Sequence, residues 1–123
     1  MNALIRGLTW PIISLLLVGG SHFAAEAIRP ELATAFTPPA LMPIYLIAGL
    51  WSGSRTLAAG GSFIHGILAG VVLGLLPVAL QVVGFGLILG RPADAASLAA
   101  AFGFLGIVWG AVLGAGYAQA SRP

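Results

Sequence analysis

The sequence predicts an all-α fold, a polytopic transmembrane helical bundle of four spans that pack through glycine grooves. Apolar residues make up 59% of the 123 residues and charged residues only 7%, whereas soluble domains carry about 25% charged residues. Glycine also recurs at every fourth position within two apolar stretches, at Gly66, Gly70 and Gly74 and at Gly106, Gly110 and Gly114. This spacing leaves a groove along one side of a transmembrane helix, into which another helix can pack. At this length we expect residues 1–123 to form a single transmembrane domain.

Four apolar stretches approach or exceed the roughly 20 residues that a membrane crossing needs. We predict spans at residues 8–28, 39–54, 62–89 and 95–118. The first ends before Pro30, because the residue preceding a proline disfavours the helical conformation. In the last connection, Gly90 is a predicted helix C-cap and Asp94 a predicted helix N-cap.

The second span is the shortest of the four. Residues 40–53 are few for a full crossing, and a longer helix would contain Pro38 and Pro39. A helix that enters the membrane obliquely, or one that breaks near Pro43, is an open alternative.

The N-terminal stretch has two interpretations. Arg6, the apolar run at residues 12–18 and the small residues around Glu26 also fit a signal peptide with a cleavage site. We expect this stretch to be a membrane helix.

Four spans place both termini on the same side of the membrane. Three arginines fall on that side and two on the other, so the positive-inside rule predicts cytoplasmic termini in the inner (cytoplasmic) membrane. Aromatic residues favour the membrane interfaces. We therefore expect Trp10, Trp51 and Tyr117 at the cytoplasmic interface and Tyr45 at the opposite one.

The predicted helix-packing residues share a small side chain and a common face on each helix. They are Gly49 and Gly53 in the second helix, Gly66, Gly70 and Gly74 in the third, and Gly103, Gly106, Gly110 and Gly114 in the fourth. One interpretation is that the grooves of the third and fourth helices face each other within one hairpin. The other is that a groove receives a helix from another chain.

Pro77 and Gln81 lie on the glycine face of the third helix. Proline has no N–H for the Leu73 carbonyl, which predicts a bend in the helix at mid-membrane depth. The Gln81 amide, one turn further on, is expected to form a hydrogen bond with a neighbouring helix. A polar contact in a conduction path is the alternative role.

His22, Glu26 and Arg29 are spaced to form one polar stripe near the end of the first helix. One interpretation is an interfacial helix end whose charged tips reach the lipid headgroups. The functional interpretation is a proton or ion site, since ionisable groups within membranes are often mechanistic. His22, Glu26 and Gln81 are thus the candidate polar residues within the membrane.

His65 and His22 are weaker candidates for ligands of a pigment or haem. They lie near opposite membrane faces, so both cannot bind one iron within a chain, but either could supply one axial nitrogen. A hydrogen-bonded packing histidine is the alternative for each. Trp109, near mid-depth, is expected either to pack within the bundle or to contact a partner helix, a pigment or a lipid tail.

Several function classes have no support in the sequence. Cysteine is absent, which excludes thiolate metal sites and disulfides. The five arginines are spread singly and lysine is absent, so nucleic-acid binding is not indicated. Hydrolase and nucleotide-binding signatures are missing too, and we expect no enzyme activity, no catalytic residues and no metal site.

In size and helix count the chain resembles the small multidrug resistance transporters. Residues 19–26, ending in Glu26, are similar to the stretch of the first helix in which those proteins carry a membrane-embedded glutamate. The resemblance covers one helix. Glu26 lies nearer the helix end, and the aromatic residues expected on the later helices do not match.

These observations lead to one main functional hypothesis and two alternatives. The main one is a non-catalytic accessory subunit that packs by its glycine faces against other transmembrane subunits, in a photosynthetic or respiratory complex of a bacterial membrane. The first alternative is a small oligomeric proton-coupled transporter or channel. The second is a pigment- or haem-binding bundle. No cofactor is required, although a bound lipid, bacteriochlorophyll or carotenoid at a partner interface is compatible with the composition.

Overall fold

The computed structural model describes residues 2–33 and 38–122 of the chain. Every regular element in these residues is a helix. The elements are α1 (Asn2–Ile28), α2 (Pro30–Ala33), α3 (Pro38–Ala58), α4 (Phe63–Ala79), a π-helical segment (Leu80–Ile88) that continues α4, and α5 (Ala93–Ala120). The all-helical class predicted from the sequence is therefore confirmed.

Three of these helices are long and apolar enough to cross a membrane. They are α1, the combined stretch of α4 and the π-helical segment, and α5, with lengths of 27, 26 and 28 residues. This supports a membrane-embedded protein. The helix α3 has 21 residues but is not among the three. Its composition is less apolar because it carries polar side chains such as Ser52 and Thr56, which are fully buried inside the bundle.

Several helix bounds differ from those predicted. The helix α1 begins six residues earlier than expected, and Pro11 lies within it. The helix α3 continues through Pro43 and ends at Ala58, beyond the predicted end at residue 54. Asp94 lies in the first turn of α5, and its N-cap is Pro92. Proline preorganises the backbone at a helix start, and α5 begins two residues earlier than it would with Asp94 as its cap.

The helices α3 and α4 each contact both α1 and α5, while no contact joins α1 to α5 among the described residues. The bundle therefore has α3 and α4 between two outer helices. Its core contains Leu15 of α1, Leu41 and Tyr45 of α3, Leu73 of α4 and Ile107 of α5.

The π-helical segment begins three residues after Pro77 and covers nine residues. A proline removes one hydrogen bond of the α-helical ladder, and a π-helix is the wider hydrogen-bonding pattern often found at functional sites. The segment ends at Ile88, its C-cap is Leu89, and the following Gly90 has φ +73°. Gly90 therefore lies one residue beyond the cap predicted for it, and its positive φ is the backbone conformation that glycine adopts readily where a helix ends.

Glycines of α3 and of α5 lie where an added methyl group would meet the backbone of the other helix. A methyl group at Gly49 would overlap the backbone of Ile107, and one at Gly53 would overlap that of Ala111. From the other side, methyl groups at Gly110 and Gly114 would overlap the backbone of α3 near Leu46 and Leu50.

The glycines of α4 face alanines of α5 rather than its glycine stripe. Methyl groups at Gly66 and Gly70 would meet Ala115 and Ala111, while one at Gly74 would meet Phe104. The two stripes therefore do not face each other, as one interpretation of the sequence held. The physical reason is that α5 contacts both α3 and α4, and its residues Gly106, Gly110 and Gly114 are turned towards α3.

Candidate functional site

The end of α1 supplies two ionisable side chains to a polar cluster. His22 and Glu26 are four residues apart on α1, and their Nε2 and Oε2 atoms lie 3.9 Å apart. The His22 side chain is only 6% exposed, and that of Glu26 is 31% exposed. The cluster thus begins in the interior of the bundle and extends towards its surface.

Arg91 connects this part of α1 to the π-helical segment. Its Nη2 lies 3.2 Å from Glu26 Oε2, and its Nη1 donates a hydrogen bond of 3.1 Å to Gln81 Oε1. The backbone N–H of Arg91 also donates to the Phe85 carbonyl at 2.8 Å. A guanidinium group can serve two acceptors at once because its donors form a rigid planar fork. Arg91 therefore joins a carboxylate and an amide from two different helices.

Phe85 forms the apolar base of the cluster. It is fully buried, and Arg91 Cζ lies 4.4 Å from its ring centroid, in a cation–π contact. The His22 ring lies 4.4 Å away and tilted, and Phe23 contacts Phe85 edge-on at 5.8 Å. The rings shield the inner side of the cluster, while the Arg91 and Glu26 side chains remain 22% and 31% exposed on its outer side.

The structure brings together the three residues predicted to be polar groups within the membrane: His22, Glu26 and Gln81. Two expectations, one about Gln81 and one about Arg29, require correction. Gln81 pairs with Arg91 of the following loop and not with a neighbouring helix. Arg29 lies outside the cluster and forms an exposed ion pair of 3.3 Å with Glu31, because α1 ends at Ile28 and the chain turns there.

Arg91 was not among the residues predicted for this site. Periodicity places residues on a face of their own helix, and Arg91 lies in a loop. One signal could have found it: the predicted topology places Arg91 on the same side of the membrane as Glu26, next to a glycine that turns the chain.

A cavity of about 60 Å³ lies beside the cluster, between α1, α3 and α4. His22 lines both the cavity and the cluster. The other polar side chain on its wall is that of Tyr45, and most of the wall is apolar, formed by Leu15, Leu16, Leu41, Leu76, Pro77 and Leu80. The polar cluster is therefore continuous with an apolar cavity inside the bundle.

Tyr45 was expected at a membrane interface, but its side chain is buried in the core and only 8% exposed. Its ring lies against Gly103 of α5, where a methyl group would come within 3.4 Å of Cζ. The missing side chain of Gly103 thus leaves the space that Tyr45 fills.

His65 lies at the other end of the bundle and caps α4. Its Nδ1 accepts the backbone N–H of Ser62 at 3.0 Å, while Ser62 Oγ accepts the His65 N–H at 3.4 Å. This reciprocal pair is a capping box. Nδ1 of His65 is therefore occupied by the helix cap.

The remaining predicted contact residue, Trp109, points outward and is 62% exposed. It therefore does not pack into a groove of this chain. Among residues 2–33 and 38–122, no group of three or more His, Cys, Asp or Glu side chains is placed to hold a metal ion.

Comparisons with known proteins give no relative: no protein-family model, curated protein or solved structure matches this chain.

Proposed function

We propose that the chain crosses the membrane four times, with α3 as the fourth span. The helix α3 has 21 residues, which corresponds to roughly 30 Å at 1.5 Å per residue, the thickness of the hydrocarbon core. It contacts α1, α4 and α5, and its polar residues Ser52 and Thr56 are fully buried, so that they face protein and not lipid. This arrangement supports a full crossing despite the lower hydropathy of α3.

Glycine-groove packing is part of the same proposal. Glycine in the interior of a helix costs about 0.5–1 kcal/mol relative to alanine, so its repeated use needs a compensating gain. The backbone contacts at Gly49, Gly53, Gly110 and Gly114 supply one, because close approach increases van der Waals attraction between helices in lipid. With four spans both termini lie on one side, which we assign to the cytoplasm by the arginine count.

For the function, the best-supported candidate is a small oligomeric proton-coupled transporter or channel. One observation carries this proposal: Arg91 holds Glu26 and Gln81 together next to buried His22, which also lines the cavity. Ionisable groups within a membrane protein are costly, and they commonly mark ion or proton pathways.

The arrangement suggests how a proton would act. When the Glu26 carboxylate takes up a proton, it loses its negative charge and its attraction for Arg91 weakens. Arg91 also holds the Gln81 amide and, through its backbone, the Phe85 carbonyl. Protonation of Glu26 would therefore loosen the attachment of the π-helical segment to α1. His22, 3.9 Å from Glu26, is near enough to exchange a proton with it through one small movement.

Proton flux into liposomes containing the purified protein tests this proposal. We expect Glu26→Gln to reduce the flux to the level of empty liposomes, and His22→Ala and Gln81→Leu to lower it. Asp94→Asn is the matched control, because Asp94 is an exposed carboxylate near the same end of the bundle, outside the cluster. A flux that survives the three cluster substitutions, or that is absent from the unaltered protein, would refute the proposal.

An accessory role in a larger membrane complex is the second candidate. The observation that favours it is the outward-facing Trp109, since a large exposed aromatic ring at mid-depth suits contact with a partner subunit, a lipid or a pigment such as bacteriochlorophyll or carotenoid. The glycine faces are occupied by helices of the same chain, so a partner would meet the outer surface of α5. Purification in mild detergent tests this role: a stable, active chain that co-purifies with no other subunit and no pigment counts against it.

A further inference from the structure

The cavity beside His22 holds an unused hydrogen-bonding group. Tyr45 lines it and is more than nine-tenths buried. No hydrogen bond from the Tyr45 hydroxyl is found within residues 2–33 and 38–122, and its oxygen is not fully enclosed, since Ser52 Oγ is the one fully enclosed side-chain atom without a partner there. In an apolar cavity a hydroxyl without a partner still carries a cost in free energy. A molecule in the cavity that hydrogen-bonds to Tyr45 would remove this cost.

Water alone does not suit this cavity. A volume of about 60 Å³ could hold about four water molecules at roughly 10–15 Å³ each. Each buried water needs two to four polar partners, and only His22 and Tyr45 offer polar side chains on the wall. The chemistry of the wall instead favours an apolar molecule with a single hydrogen-bonding group.

The mouth of the cavity determines how such a molecule enters. Leu16 and Gly20, one turn apart on α1, both line the cavity and are exposed on the outside of the bundle. In a membrane this surface faces lipid, so the cavity fills by partition from the hydrocarbon. The enclosed part of the cavity is small. A molecule too long for it must therefore extend a narrow chain out through the mouth.

The charges nearby indicate a neutral occupant. Glu26 and Arg91 are paired with each other at 3.2 Å, and Leu15, Leu16, Val18, Leu41, Leu76 and Leu80 make up most of the wall. A charged ligand would lose its hydration without gaining a free counter-charge.

We propose that this cavity binds a neutral single-chain amphiphile, with its hydroxyl or carbonyl head at Tyr45 and its chain leaving past Leu16 and Gly20. The claim that the protein transports this amphiphile rests on the function proposed above. The claim that the amphiphile binds in the cavity does not.

Photolabelling in lipid nanodiscs tests the site. The probe is an eight-carbon alcohol that carries a diazirine, competed with unlabelled 1-octanol, and labelled residues are identified by mass spectrometry. We expect saturable labelling of cavity residues such as Leu15 and Leu76. Labelling that increases linearly with probe concentration, or that octanol does not reduce, would overturn the proposal.

Three variants sharpen the test. Gly20→Leu places a side chain in the mouth, and space is available because no atom lies within 4 Å of a Cβ at this position; saturable labelling should disappear. Ala101→Leu, on the exposed surface of α5, should leave it unchanged. Tyr45→Phe keeps the ring and removes the hydroxyl, so the octanol concentration that halves labelling should rise several-fold. Equal labelling in the unaltered protein and Gly20→Leu would refute the site.

The proton-flux assay separates this proposal from the proposed function. Flux that depends on Glu26, without saturable labelling, leaves the transport proposal standing and removes the amphiphile site. Saturable labelling without proton flux removes the transport proposal and leaves the amphiphile site standing.

Discussion

Arg91 and Glu26 form an ion pair of 3.2 Å that attaches the loop after the π-helical segment to the last turns of α1. The two side chains are 22% and 31% exposed, which is intermediate between a surface pair and a buried one. Because Arg91 also holds Gln81 and packs on Phe85, this pair has a greater structural role than its Coulomb energy alone would give it.

We predict that Arg91→Gln lowers the free energy of unfolding by about 2 kcal/mol, since it leaves Glu26 and Gln81 without their shared partner. Arg29→Gln is the matched control, because the Arg29–Glu31 pair is about two-thirds exposed on both sides; it should cost about 0.5 kcal/mol or less. Reversible unfolding in mixed detergent micelles measures both values. Equal losses in the two variants would mean that burial does not strengthen the Arg91 pair.

The glycines of α3 are predicted to be intolerant of even one added methyl group. Gly49→Ala should destabilise the protein by about 1–3 kcal/mol, because the methyl group overlaps the Ile107 backbone, which cannot move aside as a side chain can. Gly20→Ala has open space around its Cβ and should stabilise α1 by about 0.5 kcal/mol. Thermal unfolding in one detergent compares the two, and a stabilising Gly49→Ala would contradict the close packing of α3 and α5.

His65 is predicted to act as a helix cap. His65→Ala should cost about 1 kcal/mol, since the Ser62 N–H loses its acceptor at the start of α4. His65→Gln should restore most of that stability, because glutamine at this position completes a capping box. Absorption spectra of the two variants, purified from the native membrane, address the pigment alternative: a pigment band present in the unaltered protein and lost in both variants would show a ligand role.

Arg122 is predicted to secure the other end of the bundle. Its Nη2 donates to the carbonyls of Leu57 and Gly61, each at 2.7 Å, and so satisfies backbone groups where α3 ends. Arg122→Gln should increase amide hydrogen exchange in the loop at residues 59–62 several-fold. Exchange near Gly90, at the opposite end, should not change, and faster exchange there would indicate a global loss of stability instead.

The sequence contains enough information for the helices but not for their neighbours. The lengths of the apolar stretches, together with the helix-ending residues Pro30 and Gly90, indicate where the helices lie. A spacing of four residues places the glycines on one face of each helix. The glycine face of α5 meets α3, whereas that of α4 meets α5. Which neighbour each face meets depends on three-dimensional packing. Polar residues in apolar stretches are conspicuous, which is why His22, Glu26 and Gln81 could be predicted.

The features that sequence reasoning missed depend on contacts between residues far apart in the chain. Arg91 lies in a loop, and its contact with Glu26 forms only after three helices have packed. The π-helical segment begins three residues after Pro77, which cannot donate a helical hydrogen bond and lies beside Gly103 of a different helix. Tyr45 has the amphipathic character of an interfacial residue, yet its ring lies in the core, in the space beside Gly103.

The distance along the chain between Glu26 and Arg91 has a consequence for assembly. The carboxylate belongs to α1, whereas the cation follows the π-helical segment, so their ion pair forms only after α3, α4 and that segment have been synthesised. Until then the end of α1 carries a carboxylate without the cation that holds it in the finished bundle. Joining the first helix to the loop after the π-helical segment is therefore a late event in the maturation of the chain.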